Sequence, residues 1–203
     1  MADNTESLRL VLASASPRRR ELLAAEGYRF EAVPPPVHEP PTGHYHLTPS
    51  QQAEAVAYFK ARTVSESRPE SWVLGADTIV SVGGQVLGKP GDRASAEAML
   101  RALSGSRHEV ITGVALLGPS GRRLIASDAT WVTMRAMAPD ELDAYLASEE
   151  WVDKAGAYAI QETADRFVTE VEGSFTNVVG LPMELLRRMI GELREHPDAH
   201  QGR

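Results

Sequence analysis

The hydrophobic residues of this chain fall into short runs, separated by stretches with the periodicity of amphipathic helices. Apolar runs of strand length occupy residues 8–13, 30–33, 72–82, 85–87, 110–117 and 124–134. A Gly-Gly pair joins the third run to the fourth, and a Pro-Ser-Gly turn joins the last two runs. Both connections are typical of antiparallel strands, so the pattern predicts two hairpins.

Helix signals lie between these runs. A Ser-Pro pair at residues 16–17 predicts a helix start, and Gly27 predicts the end of that helix. After a proline-rich loop over residues 34–49, a Thr-Pro pair predicts a second helix, which extends to about residue 63. The other predicted helices cover residues 94–103, 139–147 and 181–193, the last with one apolar face.

Helices and hairpins in this order predict an α/β fold, with a mixed β-sheet and flanking helices rather than a purely parallel sheet. The chain has 203 residues and contains no repeat and no long linker, so we predict one domain over residues 1–203. The polar ends, residues 1–7 and 196–203, are predicted to be flexible.

Composition narrows the possible functions. The absence of cysteine excludes a disulfide scaffold, a thiolate zinc site and a cysteine nucleophile, and it is compatible with a reducing compartment. A formal net charge of -7 argues against nucleic acid as a partner, since that binding needs a basic surface. No apolar run approaches the roughly 20 residues that span a bilayer, and the polar N-terminus is unlike a signal peptide. We therefore expect a cytoplasmic protein with no membrane partner.

The first candidate site is the predicted helix start at residues 14–19. Arg18 and Arg19 fall in the first helical turn, where the helix dipole favours acidic residues. They are explained if an anion binds there, held by backbone N–H groups, the hydroxyls of Ser14 and Ser16, and the guanidinium groups. An exposed basic turn is the alternative. The segment lacks the Walker A pattern.

Asp77 is the second candidate because it interrupts the apolar run of residues 75–80. A carboxylate there is costly unless it points out of the core, pairs with a cation or binds a metal. Lys89, just beyond the predicted hairpin, is positioned to return to the same end of the sheet. A structural ion pair and a catalytic role both explain these two residues.

Further candidates come from loops and from single charged residues. Segments 153–161 and 173–182 contain small residues that let backbone approach a ligand, and Gln161 offers a donor and an acceptor suited to a base edge. Glu39 and Lys60 are also candidates, although residue type alone predicts that both are exposed. Three histidines near Glu39 have no fixed metal-binding spacing, so they do not predict a metal site. They are His38, His44 and His46.

Taken together, six segments resemble the Maf family of nucleoside triphosphate pyrophosphatases from Leu10 to about Leu186. They are LASASPRRRELL, GADTIV, GKP, LSGSRHEVITGV, DKAGAYAIQ and NVVGLP. The resemblance implies a mixed α/β fold with two lobes around a deep cleft, similar to inosine triphosphate pyrophosphatases, and often a homodimer. It also implies hydrolysis of a nucleoside triphosphate to the monophosphate and pyrophosphate, with a divalent metal.

The resemblance assigns roles one position at a time. Asp77 matches the family's proton acceptor, and the phosphate-contacting turn corresponds to Ser14, Arg18 and Arg19. The other residues that match positions lining the family's cleft are Glu39, Lys60 and Lys89. Our hypothesis is that Mg²⁺ or Mn²⁺ is held by Glu39 and Asp77 together with phosphate oxygens.

Three positions match the family branch that acts on dTTP and UTP. They are Arg18, Thr78 and Gln161. Ala159, where the family often has glycine, and the proline-rich loop around Glu39 depart from the family pattern. The alternatives are an enzyme for 7-methyl-GTP or another non-standard nucleotide, and a septum-formation inhibitor that acts by binding.

Overall fold

The structure is a computed structural model, and it describes residues 9–36, 47–161 and 163–195. Its centre is a seven-stranded mixed sheet in the order β2-β1-β3-β5-β6-β7, with β4 paired to β3. β1 is parallel to β2 and to β3, and the remaining pairs are antiparallel. The predicted mixed sheet is confirmed. The strands are β1 (Leu10–Leu12), β2 (Phe30–Ala32), β3 (Trp72–Val82), β4 (Gln85–Leu87), β5 (Arg107–Leu117), β6 (Arg123–Met134) and β7 (Val168–Glu172).

Six α-helices flank the sheet in the described part of the chain. Local signals in the sequence fix several of their starts: Ser16 caps the first by accepting from Arg19 N, and Thr48 forms a capping box with Gln51 at the second. Short 3₁₀ turns lie at Pro119–Gly121, Ala155–Ala157 and Thr163–Phe167. The helices are α1 (Pro17–Ala25), α2 (Pro49–Ser65), α3 (Arg93–Leu103), α4 (Pro139–Ala147), α5 (Phe175–Val179) and α6 (Met183–Glu195).

The sheet is covered on both faces. On one face, α2 lies directly on β3 and β5, because glycines there leave room for its backbone. A Cβ added to Gly75 would lie 2.1 Å from Ala57 O, and one added to Gly113 would lie 2.3 Å from the carbonyl carbon of Ala53. The opposite face packs on α1 and α6 at one end and on α3 and α4 at the other. Successive residues of β3 therefore face different helices.

The pairing of β3 leaves a gap on one of its edges. β5 occupies one edge along Val73–Ser81, while β1 pairs with residues 72–74 and β4 with residues 80–82 on the other edge. Among the described residues, no strand pairs with residues 75–79 on that second edge. Since β1 is parallel to β3 and β4 is antiparallel to it, the carboxyl ends of both short strands point into this gap. The segments that follow β1 and β4 therefore converge beside Asp77.

The structure changes some predicted bounds and adds elements. The first strand is shorter than predicted, and the last helix begins at Met183 rather than at residue 181. Strand β7, helix α5 and the two 3₁₀ turns after α4 were not predicted, whereas Pro119–Gly121 lies where a Pro-Ser-Gly turn was predicted. The predicted flexible residues 1–7 and 196–203 lie outside the described residues, and the arrangement in two lobes stays a prediction.

Candidate active site

A cavity of about 480 Å³ opens at the gap in the edge of β3. Residues from the turn after β1, from α2, from the middle of β3 and from the segment after β4 line it together. The predicted site residues that the structure brings to this cavity are Ser14, Arg18, Arg19, Lys60, Asp77, Thr78, Lys89 and Gln161. Glu39 and the three histidines near it lie outside the described residues.

Asp77 and Lys60 form a salt bridge on the face of β3 that α2 covers. Lys60 Nζ donates to Asp77 Oδ1 at 2.7 Å, and the side chains are only 12% and 11% exposed for Asp77 and Lys60 respectively. The expectation that Lys60 is exposed is wrong, because α2 lies close enough to the sheet to place this side chain beside the carboxylate. Among the described residues, Lys60 is the side chain that donates to the Asp77 carboxylate, and it does so at Oδ1 and not at Oδ2.

Arg19 lies on the other face of β3 and is buried. Its Nε donates to Gly180 O at 2.8 Å, and its terminal nitrogens donate to Ser14 Oγ at 3.3 Å and to Thr78 Oγ1 at 3.2 Å. The alternative interpretation, an exposed basic turn, is therefore wrong for Arg19. Arg18 is half-buried, and Arg20 is exposed. Arg19 connects three segments at the wall of the cavity.

A chain of polar contacts continues from Thr78 into the protein. The hydroxyls of Thr78 and Thr112 lie 2.9 Å apart, and Thr112 Oγ1 donates to Asn177 O at 3.1 Å. Asn177 Nδ2 donates to Thr130 Oγ1 and to Val110 O, each at 2.9 Å. This chain reaches α5, just before the Gly180 carbonyl that accepts from Arg19. Thr112 and Asn177 were not among the predicted site residues, although a threonine in an apolar strand is a signal of such a network.

Lys89 and Gln161 are exposed residues of the cavity lining. The two loops that carry them are joined because Gly156 N donates to Gly88 O at 3.0 Å. Between them, Asp153 and Ala157 adopt positive φ angles of 60° and 62°, which are uncommon for residues with a side chain. This tightly turned backbone brings residues 153–161 along one side of the cavity.

Lys154 and Tyr158 of this loop also line the cavity, and neither was predicted as a site residue. Lys154 is buried, and its Nζ donates to the backbone carbonyl of Glu150. Tyr158 is buried, and its hydroxyl lies 2.8 Å from Nε2 of His108, which is fully buried. Burial lowers the pKa of His108 to about 4 and raises the pKa of Tyr158, so both side chains are neutral at pH 7.

The side chains of the cavity suit a metal ion that takes most of its ligands from a bound phosphorylated compound and from water. The described residues contain no group of three His, Cys, Asp or Glu side chains that could enclose a metal. Asp77 does place one carboxylate among the basic residues of the cavity. Mg²⁺ is commonly held by one or two carboxylates together with phosphate oxygens and water, so this site fits a metal that arrives with a phosphorylated compound.

The lining contains both charged and apolar side chains. Arg18, Arg19, Lys60, Lys89 and Lys154 bring basic side chains to the cavity that contains Asp77, and they provide sites for an anion with several oxygen atoms. The apolar residues of the lining include Val110, Val152, Ala155, Tyr158, Ile160 and Val178. A compound that carries both a polyphosphate and an apolar planar group matches this mixture of side chains. None of the described helices is long and apolar enough to cross a membrane.

Comparison with known proteins agrees with this geometry. A family model described as Maf-like protein matches residues 9–193. A protein of Moorella thermoacetica named dTTP/UTP pyrophosphatase is 46% identical over 183 residues, which cover 90% of this chain and 93% of that protein. A protein of the same name from Myxococcus xanthus is 47% identical over 180 residues, or 89% of this chain and 90% of that one.

A solved structure shares the fold. The Ham1 protein of Staphylococcus aureus superposes with a TM-score of 0.52 at 14% identity, covering 91% of this chain and 98% of its own. At that identity, the similarity concerns the fold alone. The family model and the two relatives extend over nearly all the described residues, and they confirm the resemblance that the six motifs indicated. The chain belongs to the Maf family.

Proposed function

We propose that this protein is a nucleoside triphosphate pyrophosphatase that hydrolyses dTTP and UTP to the monophosphate and pyrophosphate. The observation that carries the proposal is the position of Asp77, a buried carboxylate that is paired with Lys60 in a cavity also lined by Arg18, Arg19 and Lys89. The relatives named dTTP/UTP pyrophosphatase support this choice of substrate. Modified pyrimidine triphosphates belong to the same substrate class.

In the proposed reaction, Asp77 accepts a proton from a water molecule through Oδ2. The water oxygen forms a bond to the α-phosphorus, and the bond from that phosphorus to the bridging oxygen breaks. The bridging oxygen leaves with the pyrophosphate. Arg18, Lys60 and Lys89 stabilise the charge on the phosphate oxygens, because phosphoryl transfer depends mainly on positioning and electrostatics.

A divalent cation, Mg²⁺ or Mn²⁺, is part of the proposal. Asp77 would hold it together with Glu39 and phosphate oxygens, and when bound it would neutralise part of the triphosphate charge. Asp77 then serves either mainly as proton acceptor or mainly as metal ligand. Omission of the metal with excess chelator is expected to abolish pyrophosphate release.

The residues proposed to select the substrate act in two ways. Gln161 is exposed on the loop along the cavity, where its amide suits the edge of a pyrimidine, and Arg18 lies half-buried at the helix start. Thr78 forms hydrogen bonds with Arg19 and Thr112, so we propose that it affects substrate selection indirectly, by fixing the position of Arg19. This differs from direct contact with the base.

A pyrophosphate-release screen tests the proposal. The assay compares dTTP, UTP, CTP, GTP, 7-methyl-GTP and inosine triphosphate with Mg²⁺ and with Mn²⁺. We expect the highest kcat/KM with dTTP and UTP. Preferential turnover of 7-methyl-GTP would overturn the substrate assignment, and no release from any of them would overturn the activity. The single domain, cytoplasmic location, homodimer and role in septum formation stay predictions.

A further inference from the structure

Val152 is an exposed apolar residue at the cavity. It is 46% exposed, and of the four large hydrophobic residues that are exposed in the described part of the chain it is the one that lines the cavity. The apolar lining residues Val110, Tyr158 and Ile160 are all buried. Val152 therefore offers apolar surface that a ligand in the cavity would remove from water.

The side chain of Val152 is not part of the core. It belongs to none of the four hydrophobic clusters formed by the described residues, and it is not among the partly buried residues that pack against them. Its neighbour Trp151 packs against the cluster between α3 and α4 and donates from Nε1 to Leu146 O at 3.0 Å. Trp151 therefore anchors this turn to the core, while Val152 stays exposed.

The backbone on both sides of Val152 has an uncommon conformation. Glu149 and Asp153 have φ angles of 59° and 60°, and Ala157 has a φ angle of 62°. These three are the non-glycine residues with positive φ in the described part of the chain, and all of them lie within residues 149–157. Such a conformation costs free energy in a residue with a side chain, and it is concentrated at sites that bind ligands. The strained turn indicates that this segment contacts a ligand.

Glu150 closes the loop that carries both Val152 and Gln161. Its carboxylate accepts from Thr163 N at 3.1 Å and from the Thr163 hydroxyl. Val152 lies two residues after Glu150, and Gln161 lies two residues before Thr163. The two residues therefore occupy equivalent positions on the two sides of one closed loop, and both line the cavity.

We infer that the isopropyl group of Val152 packs against the nucleobase of the bound substrate. The inference rests on the proposed function. The phosphates carry the charge of the substrate and pair with basic side chains, so the base is the part whose faces an apolar side chain covers. Gln161 offers hydrogen bonds to the edge of the base, whereas Val152 adds apolar contact and therefore affinity.

The first test separates binding of the base from binding of the phosphates. Val152→Thr keeps the shape of the side chain and replaces one methyl group with a hydroxyl. The Kd for dTMP and the KM for dTTP are expected to rise by roughly threefold to tenfold, while the Kd for inorganic tripolyphosphate, which has no base, should change less than about twofold. The kcat should change less than KM, because the contact binds the substrate and the transition state alike.

Two further variants serve as controls. Val152→Ile keeps an apolar side chain and should bind dTMP within about twofold of the unmodified protein. Ile125→Thr makes the same change of polarity at a residue of β6 that is 41% exposed and outside the cavity lining, so it should leave both Kd values unaltered. The melting temperature checks the fold of each variant, and little change is expected because both positions are exposed.

Three results would overturn the inference. One is an unchanged Kd for dTMP in Val152→Thr, and another is equal weakening of dTMP and tripolyphosphate by that variant. The third is equal weakening of dTMP by Val152→Ile and Val152→Thr, which would show that the contact is not apolar.

A measurement on the unmodified protein completes the test. With methyl-labelled valine, nuclear Overhauser contacts are expected between the Val152 methyl groups and the thymine methyl group of bound dTMP. The signals of Val152 are identified by their loss in Val152→Thr. Absence of these contacts at saturating dTMP would sink the inference alone, because the measurement needs no turnover. Failure to release pyrophosphate from dTTP or UTP would instead sink the proposed function.

Discussion

The two faces of β3 hold two basic residues in different ways. On the face that α2 covers, Lys60 forms a salt bridge with Asp77, and both side chains are nearly buried. On the opposite face, Arg19 donates hydrogen bonds to neutral oxygen atoms from three separate segments. Asp77 and Thr78 are neighbours in the sequence, and the alternation of a strand sends them to these two environments.

The difference has a consequence for the proposed reaction. When Asp77 accepts a proton it loses its negative charge, and Lys60 loses that counter-charge as negative charge develops on the leaving pyrophosphate. The salt bridge therefore responds to the reaction. The partners of Arg19 given by its three side-chain bonds are hydroxyls and a carbonyl, which do not change charge. One face changes during turnover, and the other keeps a guanidinium in a fixed position.

The largest effect is expected from Asp77→Asn. Asparagine keeps an oxygen that accepts from Lys60, but it neither accepts a proton from water nor provides a carboxylate for a metal. The kcat should fall by about a thousandfold, within the usual range for loss of a general base. Pyrophosphate release gives the rate, and the melting temperature checks the fold. If the variant retained a tenth of the activity, the Asp77 carboxylate would not be needed for the chemical step.

The sequence predicted the β3–β4 hairpin well and the segment after α4 poorly. The hairpin of β3 and β4 has the predicted bounds, because two glycines at positive φ make its turn recognisable. The segment after α4 was not predicted as regular structure. It contains short 3₁₀ turns, Glu149 and two further non-glycine residues at positive φ, and a five-residue strand, none of which follows a helical or strand period.

The same limit applies to the site. Residue types and motifs identified Asp77, Lys60 and Arg19 as separate candidates. They did not predict the salt bridge between Asp77 and Lys60 or the hydrogen-bond partners of Arg19. Lys60 was expected to be exposed, since nothing in α2 reveals how closely a helix can approach glycines in two distant strands. The inward position of Arg19 depends on Gly180, which lies 161 residues away. Contacts over such separations follow from packing and not from local pattern.

Arg19→Lys tests the face of β3 on which the Arg19 guanidinium is held in position. A single ammonium group does not reproduce the planar fork that reaches Gly180, Ser14 and Thr78 together. Loss of even one charge-assisted bond should lower the free energy of unfolding by about 1.5–3 kcal/mol. Because a displacement of about 1 Å in a site can cost on the order of 100-fold in rate, kcat/KM should fall by roughly 10- to 100-fold. Arg20→Lys, an exposed change on the same helix, is the control and should leave kcat/KM unaltered. Equal activity of both variants would show that the position of the guanidinium is unimportant.

The smallest effect is expected from Thr112→Val, which alters the hydrogen bonds on the Arg19 face of β3 but leaves Arg19 itself unchanged. Valine keeps the shape of the buried side chain but removes the hydroxyl that contacts Thr78 and Asn177. Loss of these bonds should lower the free energy of unfolding by about 1 kcal/mol, measured by urea denaturation. The kcat/KM should fall by only a few-fold, because Thr78 still accepts from Arg19. Thr133→Val, a half-buried change on β6 outside this network, should leave both quantities unchanged. A loss as large as that of Arg19→Lys would mean that the network of neutral groups, and not the guanidinium itself, sets the geometry of this face.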